Sequence, residues 1–167
     1  STGYRYHPKE KRLLFRLPGY YPEYAADKDN ERLFYLYGTF GFEGDRDPGR
    51  LWIIDGKKEK ITVLEGISGF VLLPNKHELL VARSVRIPHP EYPDAFGISS
   101  SLVKIDLVTG EERDLGIKGG TGGILMVKSG DIYIGTTSNF GDGGRPYLRF
   151  DPRTETVSSM SDEFRPD

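Results

Sequence analysis

Short apolar runs alternating with polar positions recur along this 167-residue chain, each closed within eight residues or fewer by Gly, Pro, Asp or Asn. Period-two runs of that length bounded by turn residues predict β-strands, and no stretch carries the three-to-four spacing of a long helix. Two stretches alternate near the start, Gly3 to Pro8 and Leu13 to Leu17, across a charged turn at Lys9-Glu10-Lys11. Runs of four then follow three times. The first has strands at Tyr20 to Ala26, Leu33 to Tyr37, Leu51 to Ile54 and Ile61 to Leu64. The second opens at Gly69 to Leu73, returns through Leu79 to Ala82, and closes with Leu102 to Ile105 and Glu112 to Ile117. The third uses Gly123 to Val127, Ile132 onward, Tyr147 to Phe150 and a polar Thr156 to Met160, which suits an outermost edge strand.

A fixed point sets the period. Arg5-Tyr6-His7-Pro8, Ile53-Ile54-Asp55-Gly56, Lys104-Ile105-Asp106-Leu107 and Arg149-Phe150-Asp151-Pro152 align, placing the turn residue at 7, 55, 106 and 151 with spacings of 48, 51 and 45. A repeat near 50 residues in a strand-rich chain predicts an all-β fold, a β-propeller of four-stranded antiparallel blades. The expected organisation is one domain over 1–167, with a half blade of third and fourth strands at 3–17 and blades at about 20–65, 69–117 and 123–161. That is fewer blades than a closed ring of four to eight needs. The expectation is therefore a partner chain, self-association or further strands that complete the ring, since a free-standing arc would leave apolar faces open at both ends.

Composition narrows the function. Twenty-three Lys and Arg against 25 Asp and Glu give no global field for nucleic acid or an anionic membrane. No run approaches 18 apolar residues, and the N-terminus lacks a charged region followed by an apolar one, so the chain reads as soluble. The absence of Cys removes disulfides, thiolate chemistry and Cys-type zinc sites, while leaving the compartment open. No cofactor or metal is expected: Asp142-Gly143-Gly144 lacks the oxygen spacing of a calcium loop. Gly119 to Gly123 lacks the Lys-Ser/Thr and the helix of a phosphate loop, and reads as a flexible link between blades.

The enlarged connections, Gly41 to Gly49, Val85 to Ser100 and Ser138 to Arg145, all join second to third strands and so gather on one face, the expected binding face. Three prolines stiffen Ile87-Pro88-His89-Pro90-Glu91-Tyr92-Pro93-Asp94, which makes His89, Tyr92 and Asp94 candidate ligand contacts or an acid/base group. The plainer reading is a long insertion held rigid. Arg83, Thr136 and Asn139, with Asp142 and Arg145 nearby, suit hydroxyls or a carboxylate, against the plain alternative that Arg83 pairs with an acid and the others cap turns. His7 reads as a turn residue and His77 as a solvated one.

The motif Gly135-Thr-Thr-Ser-Asn-Phe-Gly-Asp-Gly-Gly144 followed by Tyr147-Leu-Arg-Phe-Asp-Pro152 resembles repeats of bacterial β-propellers of the broad Kelch-like and virginiamycin-lyase-like kind. The resemblance covers most of the chain as repeats and implies the fold; many such proteins accompany carbohydrate processing, but no lyase or lactonase residue matches position by position. Two functions follow. The first is a non-catalytic module recognising a glycan, peptide or protein through its loop face, and it needs no catalytic set. The alternative is part of a carbohydrate-active lyase or hydrolase, which requires His89 with Arg83 or Asp94 to converge within hydrogen-bond reach.

Overall fold

The computed structural model describes residues 3–6, 13–17, 23–37, 49–94, 96–137 and 148–159, with the backbone alone at 3–6, 13–17, 23, 98, 118–123, 136, 137 and 159. Twelve strands and no helix occur among them: β1 (Gly3–Tyr6), β2 (Leu13–Leu17), β3 (Glu23–Asp27), β4 (Arg32–Tyr37), β5 (Gly49–Asp55), β6 (Lys60–Leu72), β7 (Glu78–Pro88), β8 (Phe96–Asp106), β9 (Glu112–Met126), β10 (Ile132–Thr137), β11 (Leu148–Asp151) and β12 (Thr156–Ser159). The fold is all-β and antiparallel. β1 and β2 form a hairpin, and β3 to β12 pair strictly in chain order.

Three turns at the repeat's fixed point share one construction, which the β3–β4 turn also has, Asp27 Oδ1 accepting from Asn30 at 3.4 Å and Glu31 lying at φ 52°. Each opens with an Asp whose Oδ1 accepts a backbone N–H two or three residues on: Asp55 from Lys58, Asp106 from Val108 and Thr109, and Asp151 from Arg153. Each also has a left-handed residue four positions after the Asp, Glu59 (φ 50°), Gly110 (φ 78°) and Glu155 (φ 57°). The Asp side chain substitutes for a missing backbone partner and the positive φ returns the chain antiparallel. The fourth aligned position, His7, lies outside the described residues.

Two strands do more than the sequence predicts. β6 pairs with β5 as far as Ile67 and with β7 from there on, while β9 pairs with β8 up to Gly119 and with β10 from Gly120. The expected breaks before Gly69 and at Gly119 to Gly123 are therefore continuous strand rather than flexible link. A strand whose two halves bond different neighbours satisfies its backbone without a turn, needing only a bend. In β6 that bend is Gly66, at φ 73°, where a Cβ would lie 3.0 Å from the Ser84 carbonyl.

These changes of partner divide the ten strands into three four-stranded segments. Segment 1 holds β3, β4, β5 and the first part of β6; segment 2 the rest of β6, β7, β8 and the first part of β9; segment 3 the rest of β9 with β10, β11 and β12. Two apolar layers lie between them. Phe34, Leu36 and Leu51 of segment 1 meet Phe70, Leu79, Val81, Val103 and Ile105 of segment 2. The other face of segment 2, with Val71, Leu80, Ala82 and Leu102, meets Ile124, Ile132, Ile134 and Phe150 of segment 3. Strict alternation makes this possible: segment 2 is apolar on both faces because each is covered.

Candidate functional site

The β7–β8 hairpin runs past its neighbours. β6 last pairs with β7 at Arg83 and β9 first pairs with β8 at Ser100, whereas β7 and β8 continue together from Ser84↔Ser100 to Pro88↔Phe96. Most of the stretch expected as loop from Val85 to Ser100 is thus a two-stranded arm. Its connection to the sheet is a chain of buried hydroxyls across β6, β7 and β8. Ser68 Oγ lies 2.7 Å from Ser84 Oγ, which lies 2.6 Å from Ser100 Oγ. A fully paired buried polar row fixes register where apolar packing alone would slide. Sequence reasoning missed this row, although its even 16-residue spacing at 68, 84 and 100 is visible in hindsight.

At the arm's tip the imidazole of His89 is turned inward. Its Nδ1 accepts the backbone N–H groups of Glu91 (3.1 Å) and Tyr92 (3.2 Å), and its ring lies 4.8 Å from that of Tyr92. These two bonds tie the ring to the backbone of the tip. Tyr92 and Asp94 are exposed, and Val85 (58%), Tyr92 (61%) and Phe96 (46%) present apolar surface along the arm. The Arg86 guanidinium lies 5.4 Å from the Phe96 ring centroid, a cation–π contact.

Of the residues expected at a site, His89 and Tyr92 come together. Arg83 does not join them. It donates to the Glu65 carbonyl (3.0 Å) and forks onto both carboxylate oxygens of Glu112 (2.6 and 2.7 Å), the plain reading of that residue. Thr136 pairs through its backbone with Thr121 on β9. Asn139, Asp142 and Arg145 lie outside the described residues. His77 is exposed in its turn, its backbone N–H donating to Asn75 Oδ1 at 3.0 Å.

Away from the arm, a groove of about 380 Å³ is lined by β3, β6 and β9, with Tyr24, Leu72, Pro74, Leu125 and Met126 along it. Nearby, ion pairs tie successive segments. Arg32 holds Asp27 at 3.0 Å and reaches across to the Lys76 carbonyl at 2.8 Å, while Lys76 reaches back to Asp29. Lys104 of segment 2, its side chain 10% exposed, bridges Glu78 (2.7 Å) and Glu155 of segment 3 (2.8 Å), and Arg113 also holds Glu155. The bonds from Arg113 and then Lys104 hold the Glu155 carboxyl down to about 2. Burial pushes Lys104 toward its neutral form, but its bonds to Glu155 and Glu78 outweigh that and raise it.

Among the described residues no group of three His, Cys, Asp or Glu is placed to hold a metal ion. The arm offers aromatic and aliphatic surface, a cation and a rigid tip, which suits recognition by contact. No protein-family model matches the sequence, and no curated protein matches it either.

Proposed function

We propose that this chain is part of a β-propeller-type binding module, with blades at the three segments and a ring completed by a partner chain or by further copies. Its ligand, a glycan, peptide or protein, meets the face carrying the connections between second and third strands of each blade. What carries the reading is the β7–β8 arm. It stands on that face, is anchored by the Ser68–Ser84–Ser100 row, and exposes Tyr92 and Phe96 beside Arg86. The shared turns opening at Asp55, Asp106 and Asp151 and the stacking of successive segments support the blade assignment. The engagement of Arg83 by Glu112 weighs against one of the two pairings, His89 with Arg83, on which a lyase or hydrolase reading depends.

The test is to probe immobilised glycan and peptide arrays with the 167-residue chain and with a Tyr92→Ala/Phe96→Ala variant. Binding weakened about tenfold or more by the double substitution is expected, since paired aromatic contacts each carry about 1 kcal/mol or more. Binding indifferent to both aromatics, or none on either array, refutes the arm as the recognition element.

A further inference from the structure

Antiparallel pairs alternate between those that exchange backbone hydrogen bonds and those that do not, so every second residue of a strand turns its N–H and C=O away from that partner. In the β7–β8 hairpin the phase is fixed at the base, where the Leu107 N–H donates to the His77 carbonyl at 2.8 Å. These two residues continue the β7–β8 register, which runs unbroken from Glu78↔Asp106 to Pro88↔Phe96. Odd-numbered residues therefore bond across the hairpin as far as Ile87↔Gly97, and even-numbered residues face outward. Pro88, which has no N–H to give, falls in the outward set. On the other strand the Asp106 N–H donates outward, to the Glu111 carbonyl at 2.9 Å, in the same phase.

β9 covers the outward side of β8 as far as Ser100, which stands opposite Gly119, and then passes to β10. Phe96 and Ile98 thus turn their N–H and C=O groups to a side where, among the described residues, no strand pairs. The arm's opposite edge is guarded. Beyond Ser84 its outward residues are Arg86 and Pro88, a charge and a residue without a donor, two devices that keep an edge strand from pairing. The β8 edge, Phe96-Gly97-Ile98-Ser99, has neither. Phe96 is 46% exposed and shares its face of the arm with Arg86 and Pro88. The strands that end the sheet suit a partner less well: the side chains β12 exposes are the polar Thr156 and Ser158, and β3 carries Glu23 and Asp27 at its ends.

We propose that the β8 edge takes an extended peptide as an added strand, antiparallel to β8 and in line with β9. The N–H and C=O groups of Phe96 and Ile98 hold its backbone, and an apolar residue of the peptide lies opposite Phe96. The bonding pattern selects the occupant. A polypeptide backbone offers N–H and C=O at the two-residue repeat of a strand, whereas a glycan presents hydroxyls without that spacing. β9 already occupies the same edge up to Ser100, so the added strand extends an existing ladder instead of starting one. The Ser68–Ser84–Ser100 row holds the base of the edge in place, which lowers the ordering cost on the protein's side. This inference rests on the arm as the recognition element of the proposed function and narrows its ligand to a peptide.

To test it, the full chain is applied to an immobilised library of short peptides rich in Val, Ile, Thr and Phe. The tightest binder is then titrated in solution in two N-methylated forms, each blocking alternate backbone N–H groups. One form is expected to lose about tenfold or more in affinity and the other to bind nearly as the parent, because a strand turns only every second N–H toward a given neighbour. Ile98→Pro removes an outward donor and should weaken the parent peptide about tenfold or more, with circular dichroism checking that the strand signal is kept. Equal loss from both methylated forms, or loss from neither, overturns strand addition however the Ile98→Pro variant folds. Binding confined to a glycan array and dependent on Tyr92 and Phe96 overturns it while leaving the binding module standing; no binding to either array removes both. A bare chain that dimerises in sedimentation, with Ile98→Pro monomeric, gives the edge to a second copy and likewise overturns the peptide assignment.

Discussion

Glu155→Gln isolates the bridge between segments 2 and 3. Glutamine keeps the length of the side chain and tolerates the left-handed backbone at φ 57° about as well as glutamate, so the change falls on the charge. In the folded chain the carboxyl is held from its ordinary 4.5 down to about 2, chiefly by Arg113 and then Lys104. At about 1.4 kcal/mol per pH unit that displacement caps the charge contribution at about 3 kcal/mol. The Glu155 side chain is 26% exposed and Arg113 56% exposed, so screening lowers the expected contribution to about 1–2 kcal/mol. Because the folded value is depressed, this stability is fully present above pH 4.5 and is lost as pH falls toward about 2. Urea unfolding at a series of pH values should therefore show the variant less stable at neutral pH by about 1–2 kcal/mol, with the two proteins converging in acid as the wild-type carboxyl protonates. A gap that is the same at about pH 7 and about pH 2.5, or below about 0.5 kcal/mol at neutral pH, refutes the charge bridge as a tie between the segments.

Other consequences can be measured in the same way. Gly66→Ala forces a Cβ to 3.0 Å from the Ser84 carbonyl at a left-handed φ, so thermal unfolding should show a loss of about 2 kcal/mol, against about 1 for Gly110→Ala, whose Cβ meets nothing. Equal losses would mean that the close approach in β6 yields freely. Ser84→Ala removes the middle hydroxyl of the buried row and should cost about 1–3 kcal/mol by denaturant titration, and a smaller loss than Ser100→Ala would place the weight of the row elsewhere. Leu80→Ala empties a fully buried position between segments 2 and 3 and should cost about 2–5 kcal/mol; a loss under about 1 would contradict a packed layer there. His89→Ala should leave global stability within about 0.5 kcal/mol while hydrogen exchange at the Glu91 and Tyr92 amides accelerates, and unchanged exchange would deny the imidazole its role in the tip.

The strands are legible in the sequence because each half-buried strand repeats its apolar side every second residue, and the turns because an opening Asp has a local task visible within four residues. Long-range commitments are not legible. Arg83 is spent on Glu112, 29 residues away, and Lys104 on Glu155, 51 residues away, distances at which no local pattern selects a partner. The arm is hidden by composition: Pro88, Pro90 and Pro93 mark a loop, but only Pro88 falls in a strand, at the last β7–β8 pair, where the hairpin's outer edge asks for no further donor. The glycines mislead in the other direction. The stretch around Gly66 and Gly69 and that from Gly119 to Gly123 read as breaks, yet they sit where one strand passes from one neighbour to the next, and a residue without a side chain lets the ladder bend there without ending. That passage sets the order of the stack: each segment hands its last strand directly to the first strand of the next. The face of one segment thereby meets the opposite face of its successor, and Arg149 is left on the surface where the described segments stop.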